Sequence, residues 1–232
     1  MTHEHSIAKA SIASIYAHTT ILRPNKLNCS GYMSTFLSRL NSSSCEIDIR
    51  SIKDLRIERI SSRQSLQYLL YTIGESLETL QFSVLTWDRQ LYDMEHLDQE
   101  SVYFYDLSPN PHLRVFEILP ESEIFTDSIL PIRRTLSTLP ANHALEKLIL
   151  LVPIPRGRGW IGEDSVIERD LSSWAALTAA IMRLGAKVQV KLIISSPYWV
   201  GQEDIVMVER ELKPLKGHLK LEWQARVGEY GA

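Results

Sequence analysis

The stretch Leu77-Glu-Thr-Leu80-Gln-Phe82 decides the fold, because its spacing of apolar residues returns along the chain. Apolar residues occupy its first, fourth and sixth positions. Since a strand has a period of two, the fourth and sixth residues are predicted to point to one side of a sheet. The first residue is predicted to lie where the strand begins and to pack on the preceding helix. The same spacing occurs in three further stretches, 52–57, 113–118 and 145–150.

Helical periodicity lies between the strand-like stretches. Leucine and isoleucine recur at helical spacing over residues 66–73, with Gly74 at the predicted helix end. Further helices are predicted over 128–138, 163–184 with Gly185 ending it, and 203–212, and further strands over 188–194 and 219–223. A repeated helix-to-strand unit cannot bury its apolar face alone and must stack on its neighbours. The sequence therefore predicts an α/β solenoid with parallel strands in sequence order and helices on the opposite side.

Two regions differ in how regular this pattern is. Residues 1–45 are predicted to form a helical and irregular N-terminal segment, with short helices near 7–16 and 32–40. Residues 46–226 are predicted to form the repeat array. Most spacings between its central strand residues exceed the roughly 20–29 residues of regular leucine-rich repeats. The array is therefore expected to be irregular, with insertions in its loops.

Composition excludes several classes of protein. The 232 residues carry 25 basic and 28 acidic side chains, a net charge of −3, and these charges are interspersed. No basic stripe predicts nucleic-acid binding, and no apolar run approaches the roughly 20 residues that span a bilayer. The two cysteines, Cys29 and Cys45, do not form a disulfide framework. We therefore expect a cytoplasmic or nuclear protein that binds neither nucleic acid nor membranes.

Three phrases carry a resemblance to a known family. They are LLYTIGESLETL at 69–80, DLSPNPHLR at 106–114 and LSSWAAL at 171–177. These motifs resemble sequences of the mushroom-type fungal F-box proteins with degenerate leucine-rich repeats, and the resemblance covers roughly residues 50–225. The resemblance implies the substrate-receptor arm of a ubiquitin ligase, in which an F-box binds the adaptor and cullin machinery and the repeats bind the substrate.

The F-box itself is the point at which this chain departs from that family. The F-box motif opens with Leu-Pro-x-Glu, and residues 1–50 contain no such opening. The nearest wording begins at Leu119-Pro120, in the middle of the array, where it is better explained as a loop and helix of a repeat. The chain is accordingly interpreted as a relative whose F-box is absent or supplied elsewhere. A truncated fragment without its own function is the alternative.

A glycine-rich motif supports a second reading of the chain. Gly157-Arg-Gly159-Trp-Ile-Gly162 matches the G-x-G-x-x-G spacing that lets a backbone approach a pyrophosphate in doubly wound α/β enzymes. However, the first glycine follows two prolines, and Glu163 and Asp164 would repel a diphosphate at the helix start. The motif is therefore predicted to be a loop, with a nucleotide-binding enzyme as the alternative.

Other residues that carry chemistry show no catalytic or metal-binding pattern. The seven histidines are scattered without ligand spacing, and no Gly-x-Ser-x-Gly motif occurs. We therefore expect a non-enzymatic protein that uses no cofactor and no metal.

The remaining hypothesis is a surface that binds a protein partner. Side chains between the inward residues of each strand should point outward, and loop aromatics are common interface anchors. Trp160, Tyr198 and Trp199 are predicted to lie in loops near glycine or proline. The predicted partner-binding residues are Arg56, Glu58, Gln81, Ser83, Glu117, Trp160, Gln189, Lys191, Tyr198 and Trp199, accompanied on the last strand by Lys220 and Glu222.

Overall fold

The computed structural model of the chain describes residues 22–30, 47–58, 63–84, 104–120, 129–153, 166–200 and 202–227. Seven strands lie within these ranges: β1 Lys26–Ser30, β2 Asp54–Glu58, β3 Thr79–Val84, β4 Val115–Pro120, β5 Lys147–Pro153, β6 Gln189–Val200 and β7 Leu219–Val227. The α-helices are α1 Arg63–Ile73, α2 Ile129–Ser137, α3 Val166–Arg183 and α4 Gln202–Leu212. Short 3-10 turns are formed by Ile49–Ser51, Gly74–Ser76 and Lys213–Leu215.

The strands form one parallel sheet in the order β1-β2-β3-β4-β5-β6-β7, so each strand pairs with its neighbours in sequence. The prediction of an α/β fold with parallel strands in sequence order is confirmed. Parallel neighbours need a connection that returns the chain to the same edge of the sheet, and helices supply it between most of the pairs.

The sheet begins before residue 46, where the sequence analysis predicted the start of the repeat array. Strand β1 lies inside the segment that was predicted to be helical or irregular, and it pairs with β2 from Lys26–Asp54 to Ser30–Glu58. The stretch Lys26-Leu-Asn-Cys-Ser has apolar side chains only at its second and fourth positions, as an edge strand can have, and it lacks the full spacing. The predicted short helices at 7–16 and 32–40 lie outside the described residues.

The inward side chains of the strands form aligned rows. The row through Leu80 places Leu55 on one side and Phe116 on the other, and the next row does the same with Ile57, Phe82 and Ile118. All of these side chains are at most 4% exposed, as are the entrance residues Ile52, Leu77, Leu113 and Leu145. The predicted inward positions are therefore correct, because the two-residue period and the parallel register act together.

Helices cover the inward side of the sheet. The inward residues of the strands and the buried apolar residues of the helices form one hydrophobic core. The helix residues in this core include Leu66 and Leu69 of α1, Leu136 of α2 and Leu177 of α3. Two of the helices end at the glycines where the sequence predicted their ends. Gly74 after α1 has φ 60° and Gly185 after α3 has φ 84°, left-handed values that side chains with a Cβ rarely adopt.

The irregular segment of residues 104–110 lies between α1 and α2 in the helical layer. Backbone groups of residues 105–107 bond to side chains on and next to these helices. Gln67 donates to the Asp106 carbonyl (2.9 Å) and accepts from the Asp106 amide (2.8 Å), which binds the segment to α1. On the other side, Tyr105 N donates to the Thr135 hydroxyl (3.0 Å) and Leu107 N to that of Thr138 (2.8 Å). Hydrogen bonds with polar side chains thus hold this segment, which forms neither helix nor strand.

Asn110 caps the end of α1 from within the core. Its side chain is fully buried and donates to the carbonyls of Leu70 (3.0 Å) and Gly74 (2.8 Å). A helix leaves its last carbonyls without partners, and here an amide from the next unit satisfies two of them. The phrase that contains Asn110 therefore has a structural role.

The rows end half-buried at both edges of the sheet. Leu27 and Cys29 of β1, and Leu219, Leu221 and Trp223 of β7, pack against the core without being fully covered. Burial raises the pKa of the Cys29 thiol to about 11, so this cysteine stays protonated and is a poor nucleophile.

Replacing an inward strand residue should destabilise the chain strongly. Leu148→Ala removes methyl groups from a fully buried position and leaves a cavity. The expected loss in the free energy of unfolding is about 2–5 kcal/mol. The control Gln81→Ala, on the outward side of β3, should change it by no more than about 0.5 kcal/mol. Urea unfolding followed by circular dichroism measures both, and equal losses would contradict the assigned faces.

Acid should weaken the junction between α1 and the irregular segment. Tyr71 donates to Asp106 (2.7 Å). Burial raises the pKa of Asp106, but hydrogen bonds from Tyr71 and Ser108 outweigh burial and hold that pKa below its ordinary 3.8. Such a carboxylate stabilises the fold above pH 3.8 and loses this effect as the pH falls through its lower folded value.

The matched variants Tyr71→Phe and Tyr68→Phe test this junction, since both tyrosines are exposed on α1. Tyr71→Phe should lower the thermal midpoint at neutral pH, and the difference from the unchanged chain should disappear as the pH falls through the lowered folded pKa of Asp106. Tyr68→Phe should show no such pH dependence. A Tyr71→Phe effect of equal size at every pH would rule out the contribution of ionised Asp106.

Candidate partner-binding surface

The outward side of the sheet, here called the open face, consists of the strand side chains that alternate with the inward rows. Its central row crosses all seven strands in register, because each residue pairs with the next across the sheet. From β1 to β7 the row consists of Asn28, Arg56, Gln81, Glu117, Ile149, Lys191 and Lys220. Adjacent members are about 5 Å apart at the backbone.

The central row brings together four of the predicted partner-binding residues, Arg56, Gln81, Glu117 and Lys191. Gln189 lies one row nearer the strand entrance, opposite Lys147. Lys220 and Glu222, which were predicted to point outward on the last strand, lie on β7 beside Lys191 and Ile193. Residues far apart in sequence thus form one continuous surface.

The other predicted residues are placed differently. Glu58 ends β2 and Ser83 lies in β3, but their side chains are outside the described part, and Trp160 falls in the gap between 153 and 166. The prediction that Tyr198 and Trp199 lie in a loop is wrong. Both belong to β6, where Trp199 pairs with Arg226 after an irregularity in the register that begins at Ser195. The extended backbone continues through Pro197, which the sequence interpretation took as a break.

Ion pairs on the open face lie both between and within strands. Lys26 of β1 contacts Asp54 of β2 at 3.0 Å, and Arg56 of β2 contacts the same carboxyl group at 3.4 Å. Lys191 contacts Glu222 at 2.8 Å. A hydrogen bond from Lys191 holds the pKa of Glu222 below its ordinary value, and the charge of Lys220 acts in the same direction. Such pairs lie near solvent and contribute little to stability, so they mainly determine the charge pattern of the open face.

Apolar side chains on the open face were missed by the sequence interpretation. Ile149 and Leu151 of β5 are half-buried, and Ile193 of β6, opposite Leu151, is 8% exposed. The signal was the unbroken run Leu148-Ile-Leu-Leu-Val152. Such a run is apolar on both faces of a strand, whereas a strand with one solvated face alternates.

A second feature lies at the edge where the strands begin. Lys53 contacts Glu78 at 2.6 Å, and Arg114 forms a bidentate pair with Glu146, its Nη2 lying 2.8 and 3.0 Å from the two carboxylate oxygens. A groove of about 460 Å³ lies beside these residues, lined also by Glu75, Ser76, His112 and Ala144. The hydrogen bond from Lys53 and its charge hold the pKa of Glu78 below the ordinary value.

The charges at this groove already have partners inside the chain. His112 Nδ1 lies 3.0 Å from the Glu75 carbonyl oxygen, and each of the two cations is paired with a carboxylate. The pairs join consecutive strands at their entrances, so they align units of the sheet. The open face is therefore the better candidate for partner binding.

The nucleotide-binding alternative depended on a reversal in strand order. A doubly wound sheet binds its ligand in the crevice where the order reverses, and the described sheet runs from β1 to β7 without reversal. The glycines at 157, 159 and 162 lie outside the described residues. Within the described ranges, no group of histidine, cysteine and carboxylate side chains is arranged to hold a metal ion. Likewise, none of the described helices is long and apolar enough to span a bilayer.

No protein-family model, curated protein or solved structure matches this chain.

The glycine motif should give no nucleotide binding. Addition of NAD or ATP should leave the thermal midpoint unchanged, since a ligand that binds only the folded state must raise it by mass action. A saturable rise that is abolished by Gly159→Val would establish a nucleotide site. Gly185→Val serves as the control for general loss of stability, because Gly185 has a positive φ and lies outside the motif.

Proposed function

We propose that this chain is a non-enzymatic protein-interaction module whose open face binds a protein partner. The observation that carries the proposal is the central row of the open face, which runs in register across seven parallel strands. One side of the sheet forms the core with the helices, while the other presents polar, charged and aliphatic side chains over an extended area. An enzyme more often places its polar groups in a concave pocket.

We further propose that the array is a leucine-rich-repeat-like solenoid. The sequential strand order supports this, as do contacts that recur from unit to unit. Ser51 donates to the carbonyl of Pro24 (2.9 Å), and Ser76 donates to that of Ile52 (2.9 Å). The two serine bonds occupy equivalent positions, because each accepting carbonyl directly precedes a residue that bonds to the next strand entrance. Asn25, after Pro24, accepts from the amides of Lys53 and Asp54, and Lys53, after Ile52, accepts from those of Glu78 and Thr79. Neighbour-to-neighbour bonding of this kind is how stacked repeats hold together.

The link to a ubiquitin ligase is also a proposal, supported by the resemblance of three phrases to fungal F-box proteins. In that role the chain would be a substrate-recognition component, and the F-box adaptor and cullin would join through an F-box supplied elsewhere. Affinity purification of the tagged chain, followed by mass spectrometry for the adaptor and cullin, tests this assembly. Recovery of other partners without adaptor or cullin would overturn the ligase role and leave the interaction module intact.

Substitutions on the open face should weaken partner capture without unfolding the chain. The triple variant Arg56→Ala/Gln81→Ala/Lys191→Ala removes side chains from three strands at positions that alternate with the inward rows. Proteins recovered with the unchanged chain should be depleted from this variant at least about tenfold, a binding loss of roughly 1.4 kcal/mol.

The matched control is Tyr68→Ala/Met182→Ala/Val206→Ala, which changes exposed side chains on three helices. It should retain the recovered proteins. Circular dichroism must first establish that both variants are folded. Loss of partners from the helix variant alone would place the binding surface on the helical side and contradict the proposal.

A further inference from the structure

The two halves of the open face differ in charge. On β1 and β2, the cations Lys26 and Arg56 share the carboxylate of Asp54, and Glu117 of β4 adds another acidic group. On β5, β6 and β7, Lys147, Lys191 and Lys220 alternate with the inward rows, and Glu222 is the sole acidic residue of these three strands. The chain as a whole carries a net charge of −3, so this excess of lysines does not follow from a basic composition.

Two of these lysines directly face each other. Lys191 of β6 and Lys220 of β7 are register partners, so their backbones are about 5 Å apart. Like charges at opposed positions of neighbouring strands are destabilising. Glu222 offsets part of this cost through its 2.8 Å contact with Lys191. Within the described ranges, Lys147 and Lys220 have no carboxylate at salt-bridge distance, although the charge of Lys220 also acts on Glu222. Three lysines thus share one carboxylate on these strands, which leaves an excess of positive charge.

Aliphatic side chains lie between the lysines. Ile149 pairs with Lys191 in the central row, and Leu151 pairs with Ile193 in the next row. Lys147 and Ile149 are alternate residues of β5, so the cation and the apolar group adjoin on one face. Ile193 is buried at 8% exposed, so Ile149 and Leu151, which are half-buried, are the aliphatic side chains of this group that a ligand can contact. Positive charge next to aliphatic side chains is suited to a ligand that offers negative and apolar groups together.

We infer that this half of the open face binds an acidic peptide segment with aliphatic or aromatic anchor residues. The surface, here called the lysine patch, consists of Lys147, Ile149, Leu151, Lys191 and Lys220. Carboxylates of the segment lie between Lys191 and Lys220 and beside Lys147, where they relieve the like-charge repulsion. Its anchors cover Ile149 and Leu151, the half-buried aliphatic side chains of the patch. This inference rests on the proposed function and names the class of partner for the same face.

The aliphatic character of the patch favours a peptide over a nucleic acid. Proteins that bind single strands combine a cationic groove with aromatic side chains on which bases stack. The described outward side chains of this patch are aliphatic, and the lysines surround them without tracing a continuous track for a phosphate backbone. A peptide supplies both carboxylates and aliphatic anchors in one short segment.

The test uses a random 12-residue peptide library displayed on phage and selected against the full chain. Enriched peptides should contain glutamate or aspartate with leucine, isoleucine or an aromatic residue. One enriched peptide, labelled with fluorescein, is then titrated by fluorescence polarisation. Lys147→Gln/Lys220→Gln should raise its Kd at least about tenfold, and raising the salt from about 0.05 M to about 0.3 M should weaken binding.

The matched control Arg183→Gln/Arg210→Gln makes the same charge change at exposed positions on helices α3 and α4. It should alter the Kd by less than about twofold. A comparison variant, Lys26→Gln/Arg56→Gln, makes the charge change on the other half of the open face and should raise the Kd less than Lys147→Gln/Lys220→Gln does. A version of the peptide with glutamine in place of every acidic residue should lose most of its affinity. Thermal unfolding of all three protein variants establishes that they are folded.

Failure of this inference differs from failure of the proposed function. Peptides that lose affinity only with Lys26→Gln/Arg56→Gln would overturn the lysine patch and preserve a binding face. Peptides insensitive to both variants of the open face, or no enrichment at all, would contradict both proposals. Equal or tighter binding of a single-stranded oligonucleotide that depends on Lys147 and Lys220 would make the ligand a nucleic acid. Self-association lost in Lys147→Gln/Lys220→Gln would make a second copy of the chain the occupant. Either result would overturn the peptide assignment.

Discussion

The register between neighbouring parallel strands is the constraint on which the rest of the structure depends. Leu55, Leu80, Phe116 and Leu148 are buried because each lies beside the next, in one row under the helices. A slip of one residue at any strand would turn its whole inward set toward water. The same register aligns the outward residues. The core and the open face are therefore two results of one alignment, and neither can change without the other.

Polar contacts hold the units together where regular structure is missing. Gln67 and Thr138 supply the hydrogen bonds that a neighbouring strand or helix would otherwise give to the irregular segment 104–110. Asn110 then joins that segment to the last carbonyls of α1. Each contact links parts of the chain that belong to successive units. The charged pairs at the strand entrances, such as Arg114 with Glu146, repeat the principle at the surface.

Sequence reasoning succeeded where one periodicity decided the outcome. The inward residues of β2 to β5 follow from the two-residue period, and Gly74 and Gly185 were recognised because a helix end needs a left-handed residue there. It failed where tertiary context overrode the local signal. Strand β1 has few apolar residues and forms against β2, while Tyr198 and Trp199 extend β6 beside β7 despite Pro197. The lysine patch required the register, since sequence cannot place Lys220 opposite Lys191.

The uninterrupted strand order also has a consequence for how the chain comes apart. Each of the seven described strands bonds only to its neighbours in sequence, so among them the first does not close against the last. Removing β1 or β7 leaves the remaining pairs of this sheet intact, unlike the opening of a closed barrel. Loss of structure can therefore spread inward one strand at a time, and partially unfolded states with an intact middle become accessible. Under a pulling force applied at the two termini, the strands would detach one after another, each over a small unfolding barrier of its own.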